Sequence, residues 1–353
     1  MPSRISPRAF SACSASSNDM ASATNGTSNA APASTWVGHQ GAAAFDLRND
    51  VFEEDRTTIE LEAHVAALAG KEAGLFVLSG TMGNQIALRS LLTQPPHGVL
   101  CDGQSHIIKY EAGGVASLSG AMLTALKPSN GRYLTLEDIQ ENVVLSDDVH
   151  ACPTRVISLE NSLNGLVMPL EEVRRISSFA RENRILMHCD APDSGKSSLR
   201  ARGSKNLIKH GRWVRKSIGG GLRQSGVVTA AARIAVDTTF GRDSNGRGGL
   251  LKATHATAKR VEEMWTDLGG RMTLPVETNM CWLDLESLGC SAVTFEQLGK
   301  EAGLKLHGNR LITHYQIGEE AIQKLAVIFQ QVARENTGGD QPKKSHTTGI
   351  YGR

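Results

Sequence analysis

The sequence predicts an α/β protein, with a large domain on a mainly parallel sheet followed by a smaller α+β domain. Three observations carry this. Short apolar runs alternate with stretches whose apolar residues recur at helical spacing, the order that crossover helices between parallel strands require. Glycine is frequent, at 36 of 353 residues, as many loops and close backbone approaches demand. After about residue 250 the pattern changes to two or three helices with two β-like stretches.

Taken in order, residues 1–36 are rich in Ser, Ala, Asn and Thr and poor in large apolar side chains. Such a composition buries too little surface to offset the entropy of ordering, so a disordered tail is expected. Arg4 and Arg8 among serines also fit a weak mitochondrial transit peptide, the alternative to a plain cytoplasmic protein. Residues 58–68 place apolar side chains at helical spacing and stop at Gly70, a C-terminal cap. A short apolar run at 75–78 then leads into SGTMGNQIALRSLL, which opens with small residues and becomes helical. Residues 99–101, 121–126, 155–159 and 185–190 are β-like, and 170–183 is a helix. Further on, 279–285 and 310–315 are β-like, and a second loose tail starts at about 336. The expected domains are 37–250 and 251–335.

Composition narrows the function classes. A length of 353 residues suits two domains, and 40% hydrophobic residues with a mean hydropathy of −0.23 allow a core while leaving part of the chain outside it. No run approaches the roughly 18 apolar residues of a membrane span. The six cysteines (Cys13, Cys101, Cys152, Cys189, Cys281 and Cys290) form no CxxC pair, which argues against zinc ribbons and disulfide frameworks and for a reducing compartment. Of the net charge of +2, the tails carry about +3 and the body about −1, so global charge makes no case for nucleic acid. Residues 194–236 hold ten Lys and Arg and no acid, the footprint of phosphate-backbone binding, but such a run is more often a solvated face.

Three positions suggest chemistry. Ser79, Gly80 and Thr81 sit where an expected strand gives way to a helix, so free N–H groups and the positive helix end could hold a phosphate; an ordinary capped turn uses the same residues. His106 follows a second β-like run, where an isolated histidine is more often a hydrogen-bonded surface residue. Asp190 closes the run ILMHCD, at the strand end where α/β sheets bind ligands, and could hold a protonated ring nitrogen or cap a helix.

Together with FDLRND, VFEED, TTIELEAHVAALAGKEAGLFVLSGTMGNQIALRSLL, SHI, YEAGG, SLENSLNG, MPLEEVRRI, HCDA, GSKNLI, RKSIGGGLRQSG and GNRLITHYQI, in this order, these residues resemble the low-specificity threonine aldolases. The resemblance covers about residues 37–333. It implies a fold-type-I lyase dependent on pyridoxal 5'-phosphate (PLP), which cleaves a β-hydroxy-α-amino acid such as threonine to glycine and an aldehyde. It implies that Gly80 and Thr81 belong to the phosphate cup, His106 stacks on the cofactor ring and Asp190 meets the pyridine nitrogen. Arg310 would grip the substrate carboxylate with its guanidinium fork. Arg223 would lie near the cofactor phosphate, lent by a neighbouring subunit. A homodimer or homotetramer is implied, with the Gly219–Gly221 run at the contact, and no metal.

The chain also departs from that family. The expected Schiff-base lysine, one strand beyond the aspartate, has no counterpart: APDSGKSSLRAR runs directly into GSKNLI. Lys196 and Lys205 are the nearest substitutes, and the P-loop-like APDSGKSS lacks the motif's first glycine. Asp50 joins Val51 where relatives carry a further helix, and Asn49 replaces a serine that meets the substrate carboxylate. Relatives often carry histidine at the position of Leu163, which leaves a water or His106 as base. A missing central strand should expose a sheet edge and impair folding. The competing readings are an inactive isoform that binds a partner subunit, and a racemase that uses the same carbanion sink.

Overall fold

The computed structural model describes residues 48–190, 204–240 and 249–336; both expected tails and Lys196 lie outside them. The chain divides into two units, Met1–Leu163 with Met168–Thr238, and Asn164–Val167 with Thr239–Arg353.

In the first unit the elements run α1 (Arg56–Leu68), α2 (Gly80–Leu91), β1 (Gly98–Asp102), α3 (His106–Lys109), α4 (Gly114–Ser119), β2 (Met122–Leu126), α5 (Leu136–Asn142), β3 (Thr154–Glu160), α6 (Leu170–Glu182), β4 (Leu186–Asp190), α7 (Lys205–Ser217) and α8 (Gly226–Thr239). The four strands are parallel in the order β2-β1-β3-β4. Both faces are covered, as a parallel sheet requires. Leu100, Ile157 and Leu159 pack with Val173 and Ile176 of α6, while Val99, Cys101 and Val156 pack with Leu88 and Leu92 beside Val115. Because all strands point one way, Asp102, Glu160 and Asp190 finish at the same edge of the sheet.

Each β-like run from 99 to 190 is a strand, but residues 75–78 form no ladder. Side chains take over there. The Phe76 N–H donates to Glu62 Oε1 at 2.7 Å, and its carbonyl accepts from Arg215 Nη1 at 2.8 Å. Both backbone groups that a neighbouring strand would pair are thereby satisfied. Among the described residues β4 is the last strand on its side of the sheet.

The junction at Asp50 and Val51 is tightly held. Arg215 Nη2 meets Asp50 Oδ2 at 2.8 Å with both side chains buried, and the Asp50 N–H donates to the Arg223 carbonyl at 2.8 Å. Asp55 caps α1 by accepting from the Thr58 N–H at 3.0 Å, and its other oxygen takes the Gly226 N–H at 2.6 Å. Thr58 Oγ1 also bonds Ser225 Oγ and Thr229 Oγ1, so the starts of α1 and α8 share one buried polar knot. Gly70, at φ 63°, ends α1 as expected of a left-handed cap.

The second unit contains α9 (Leu250–Thr266), β5 (Arg271–Leu274), β6 (Met280–Asp284), α10 (Ala292–Glu301), β7 (Arg310–Ile312) and α11 (Glu319–Asn336). Its sheet is antiparallel in the order β5-β6-β7. Trp265, Phe295 and Phe329 fill the core, with the Trp265 and Phe329 rings 4.8 Å apart. Strand β5 escapes sequence reading because RMTL is short and only half-buried, so it shows no alternation. No described helix is long and apolar enough to cross a membrane.

Candidate active site

The site forms at the carboxyl edge of the parallel sheet, where β4 and the start of α2 meet. Ser79 caps α2 by accepting from the Met82 N–H at 3.1 Å. The N–H groups of Gly80 and Thr81 fall in the first turn, which has no acceptors inside the helix and lies at the positive end of its dipole. One turn further along the same stripe lies Asn84, a rise of about 5 to 6 Å. Its Nδ2 donates to Asp190 Oδ2 at 2.8 Å and to Glu111 Oε1 at 2.8 Å. The helix start and the strand-end carboxylate are thus tied together by one amide.

His106 heads α3. Its backbone N–H donates to Glu160 Oε2 at 2.6 Å, and its ring Nδ1 lies 2.8 Å from Glu111 Oε1. Gln85 Nε2 donates to the other oxygen of Glu111 at 2.5 Å. One ring nitrogen or carboxylate oxygen from each of His106, Glu111 and Asp190 lies within 4.8 Å of the others. The hydrogen bonds account for this grouping.

Burial, and next the charge of Asp190, push the Glu160 carboxyl up to about 8, so it stays protonated at neutral pH. Glu160 and Asp190 are register partners across β3 and β4. One pleat deeper, Ser158 Oγ meets His188 Nδ1 at 2.8 Å; burial brings this imidazole down to about 4 and keeps it neutral. Cys189 is pushed up to about 12 by burial, and Lys71, whose ammonium interacts with Cys189, is brought down to about 8 by its own burial.

Gly80, Thr81, His106 and Asp190 therefore gather at one place, as the sequence places them. The other expected residues have other surroundings. Asn49 Oδ1 accepts from the Val51 N–H at 3.0 Å and caps the short turn Asp50–Phe52. Arg223 is exposed in the turn before α8. Arg310 lies on β7 of the second unit, its guanidinium 5.7 Å from the centroid of the Trp282 ring. Leu163 is buried, and Lys205 is exposed at the first position of α7. Within the basic run, Arg212 pairs with Glu62 and Glu53, Arg215 with Asp50, and Arg233 with Asp237, so these cations serve the fold. Sequence reading missed Asn84, Gln85, Glu111 and Glu160. The available signal was the adjacent pair Asn84–Gln85 between small and apolar residues in the first half of the helix, both now buried.

Residues 28–192 match the model of the family described as beta-eliminating lyase. The aldolase vrtJ of Penicillium aethiopicum is 46% identical over 320 residues, covering 82% of this chain and 81% of its own. The chain belongs to the beta-eliminating lyase family. The alanine racemase TOXG of Cochliobolus carbonum is 41% identical over 82% of each chain, and the low-specificity L-threonine aldolase of Eremothecium gossypii is 38% identical over 81% of each. Among solved structures, the threonine aldolase of Leishmania major superimposes with a TM-score of 0.67 at 15% identity, covering 86% of this chain and 96% of that one. A serine palmitoyltransferase carrying PLP matches with a TM-score of 0.60 at 15% identity over 86% and 84% of the two chains. At that identity the likeness shows the fold, that of fold-type-I PLP enzymes.

The family and its structural neighbours depend on PLP. The residues gathered here fit two ends of that cofactor. A carboxylate at the end of β4 suits a protonated ring nitrogen, and the uncapped N–H groups at the start of α2 suit a phosphate. His106, whose side chain is 40% exposed, groups with Asp190 through Glu111.

Proposed function

We propose that this chain is a PLP-dependent lyase of the threonine aldolase type, cleaving L-threonine or L-allo-threonine to glycine and acetaldehyde. The observation that carries this reading is the Asn84 bridge, which ties the Asp190 carboxylate to α2 one helical turn from its start, whose free N–H groups suit a phosphate. PLP, when bound, supplies the electron sink for the carbanion left by Cα–Cβ cleavage. Asp190 would hold the proton on the ring nitrogen, Gly80 and Thr81 would offer N–H groups to the phosphate, and His106 would take the proton of the β-hydroxyl. Leu163 is buried and carries no titratable group, and of the two bases that remain, a water or His106, the histidine is the one this reading uses. A homo-oligomer in the cytoplasm is the setting that the family resemblance and the unpaired cysteines favour.

The test is direct. Purified protein is incubated with PLP, reduced with borohydride and mapped by mass spectrometry, while glycine and acetaldehyde are measured from threonine. A modified lysine with glycine release supports the lyase. No modified lysine sinks it and leaves the inactive, subunit-binding isoform, the reading favoured by the absent serine-lysine-glycine stretch. Conversion of L-alanine to D-alanine without glycine release would point to the racemase reading, which the similarity to TOXG supports.

A further inference from the structure

The Glu111 side chain is fully buried and side chains meet both of its oxygens: His106 Nδ1 at 2.8 Å and Asn84 Nδ2 at 2.8 Å meet one, and Gln85 Nε2 at 2.5 Å meets the other. A buried carboxylate is costly unless its lone pairs are satisfied, and three donors satisfy them. The two amides donate whatever the pH. With Glu111 a carboxylate, which only accepts, the third contact puts the hydrogen on Nδ1, so in the neutral ring Nε2 presents its lone pair.

We propose that Glu111 and Asn84 are positioning residues, with Glu111 holding His106 in the tautomer that makes Nε2 the base and Asn84 locking that carboxylate to Asp190. The division of labour is that of a base oriented by a buried carboxylate. It rests on the lyase reading for its chemical purpose, but the hydrogen-bonded chain His106–Glu111–Asn84–Asp190 exists independently of that reading. In the reaction the β-hydroxyl O–H bond breaks, its proton passes to Nε2, and the oxygen keeps the electron pair that becomes the aldehyde carbonyl as the Cα–Cβ bond opens. The Cα–Cβ bonding pair stays on Cα, for which bound PLP would supply the electron sink, and the proton returned to Cα completes glycine.

Charge in the surroundings agrees. The carboxyls of Asp102, Glu160 and Asp190 face the same region, and Glu160 is the member that burial and these neighbours keep protonated.

The experiment is nitrogen-15 NMR of histidine-labelled protein, with the His106 signals assigned by their loss in His106→Gln. Wild type should show Nδ1 protonated and Nε2 unprotonated in the neutral ring, and Glu111→Gln should shift the ring to a mixture of tautomers. In parallel, Glu111→Gln should lower kcat for glycine release roughly 100-fold, with KM little changed, the range expected on losing an oriented base. Glu111→Asp should recover part of that loss. Should the wild-type ring carry its proton on Nε2, the proposal is overturned; the same holds if folded Glu111→Gln keeps both tautomer and kcat. The wild-type measurement decides even where the variant does not fold. Absence of glycine release with the expected tautomer would defeat the lyase reading and leave the positioning intact.

Discussion

Glu160 and Asp190 stand opposite each other in the register of β3 and β4, so two carboxyl groups share one corner of the sheet edge. Like charges this close are not both ionised without cost, and burial adds to the penalty. Glu160, pushed up to about 8, is the one that keeps its proton.

A pH dependence follows from this pair. The folded pKa of Glu160 lies above its ordinary value of 4.5, so between about 4.5 and 8 the native state binds more protons than the unfolded state. Stability should therefore fall as pH rises through that window, by a few kcal/mol from this group. Glu160→Gln should be nearly neutral at pH 5 and raise Tm at pH 8.5, as checked by thermal melts across pH. Equal effects at both pH values would rule out this account.

Arg215 and Asp50 form a buried pair beside the Asp50–Val51 junction. Removing one partner leaves a buried charge uncompensated, so Arg215→Met should destabilise the chain by about 3 to 5 kcal/mol. Asp50→Asn added to it should cost less than the sum of the single changes. Urea unfolding of the two single variants and the double variant measures the coupling.

Lys71 should react as a weakly basic amine. With its amine brought down to about 8 by burial, about half is uncharged at pH 8, where an ordinary lysine near 10.4 is almost wholly protonated. Trace acetylation followed by peptide mass spectrometry should give Lys71 a pH profile with a midpoint near 8. A midpoint above 10 would contradict it.

Cys101, Cys189 and Cys281 are all pushed up to about 12 by burial and should resist thiol reagents in the native protein. Cys152, which is only half-buried, should label before these three. Quantified alkylation before and after unfolding tests the order.

Much of the fold was legible because it depends on local pattern. The runs ending at Cys101, Leu126, Leu159 and Asp190 are strands because each is a short apolar stretch between helical ones, and Gly70 ends α1 because it adopts φ 63°. The run at 75–78 reads the same way but makes no ladder. Whether an extended run becomes a strand depends on a neighbour that no local pattern reveals, and here Glu62 and Arg215 satisfy Phe76 instead.

The site divides along the same line. By itself the sequence determined the α/β class, the family motifs, and Gly80, Thr81, His106 and Asp190 as the residues to examine, since these sit at recognisable element ends. Tertiary structure alone decided that Asn84 joins Asp190 to Glu111, that Glu111 holds His106, and that Glu160 keeps its proton beside Asp190. Those relationships come from hydrogen bonds and desolvation between residues as many as 106 positions apart, and a spacing that long leaves no periodic trace in the chain.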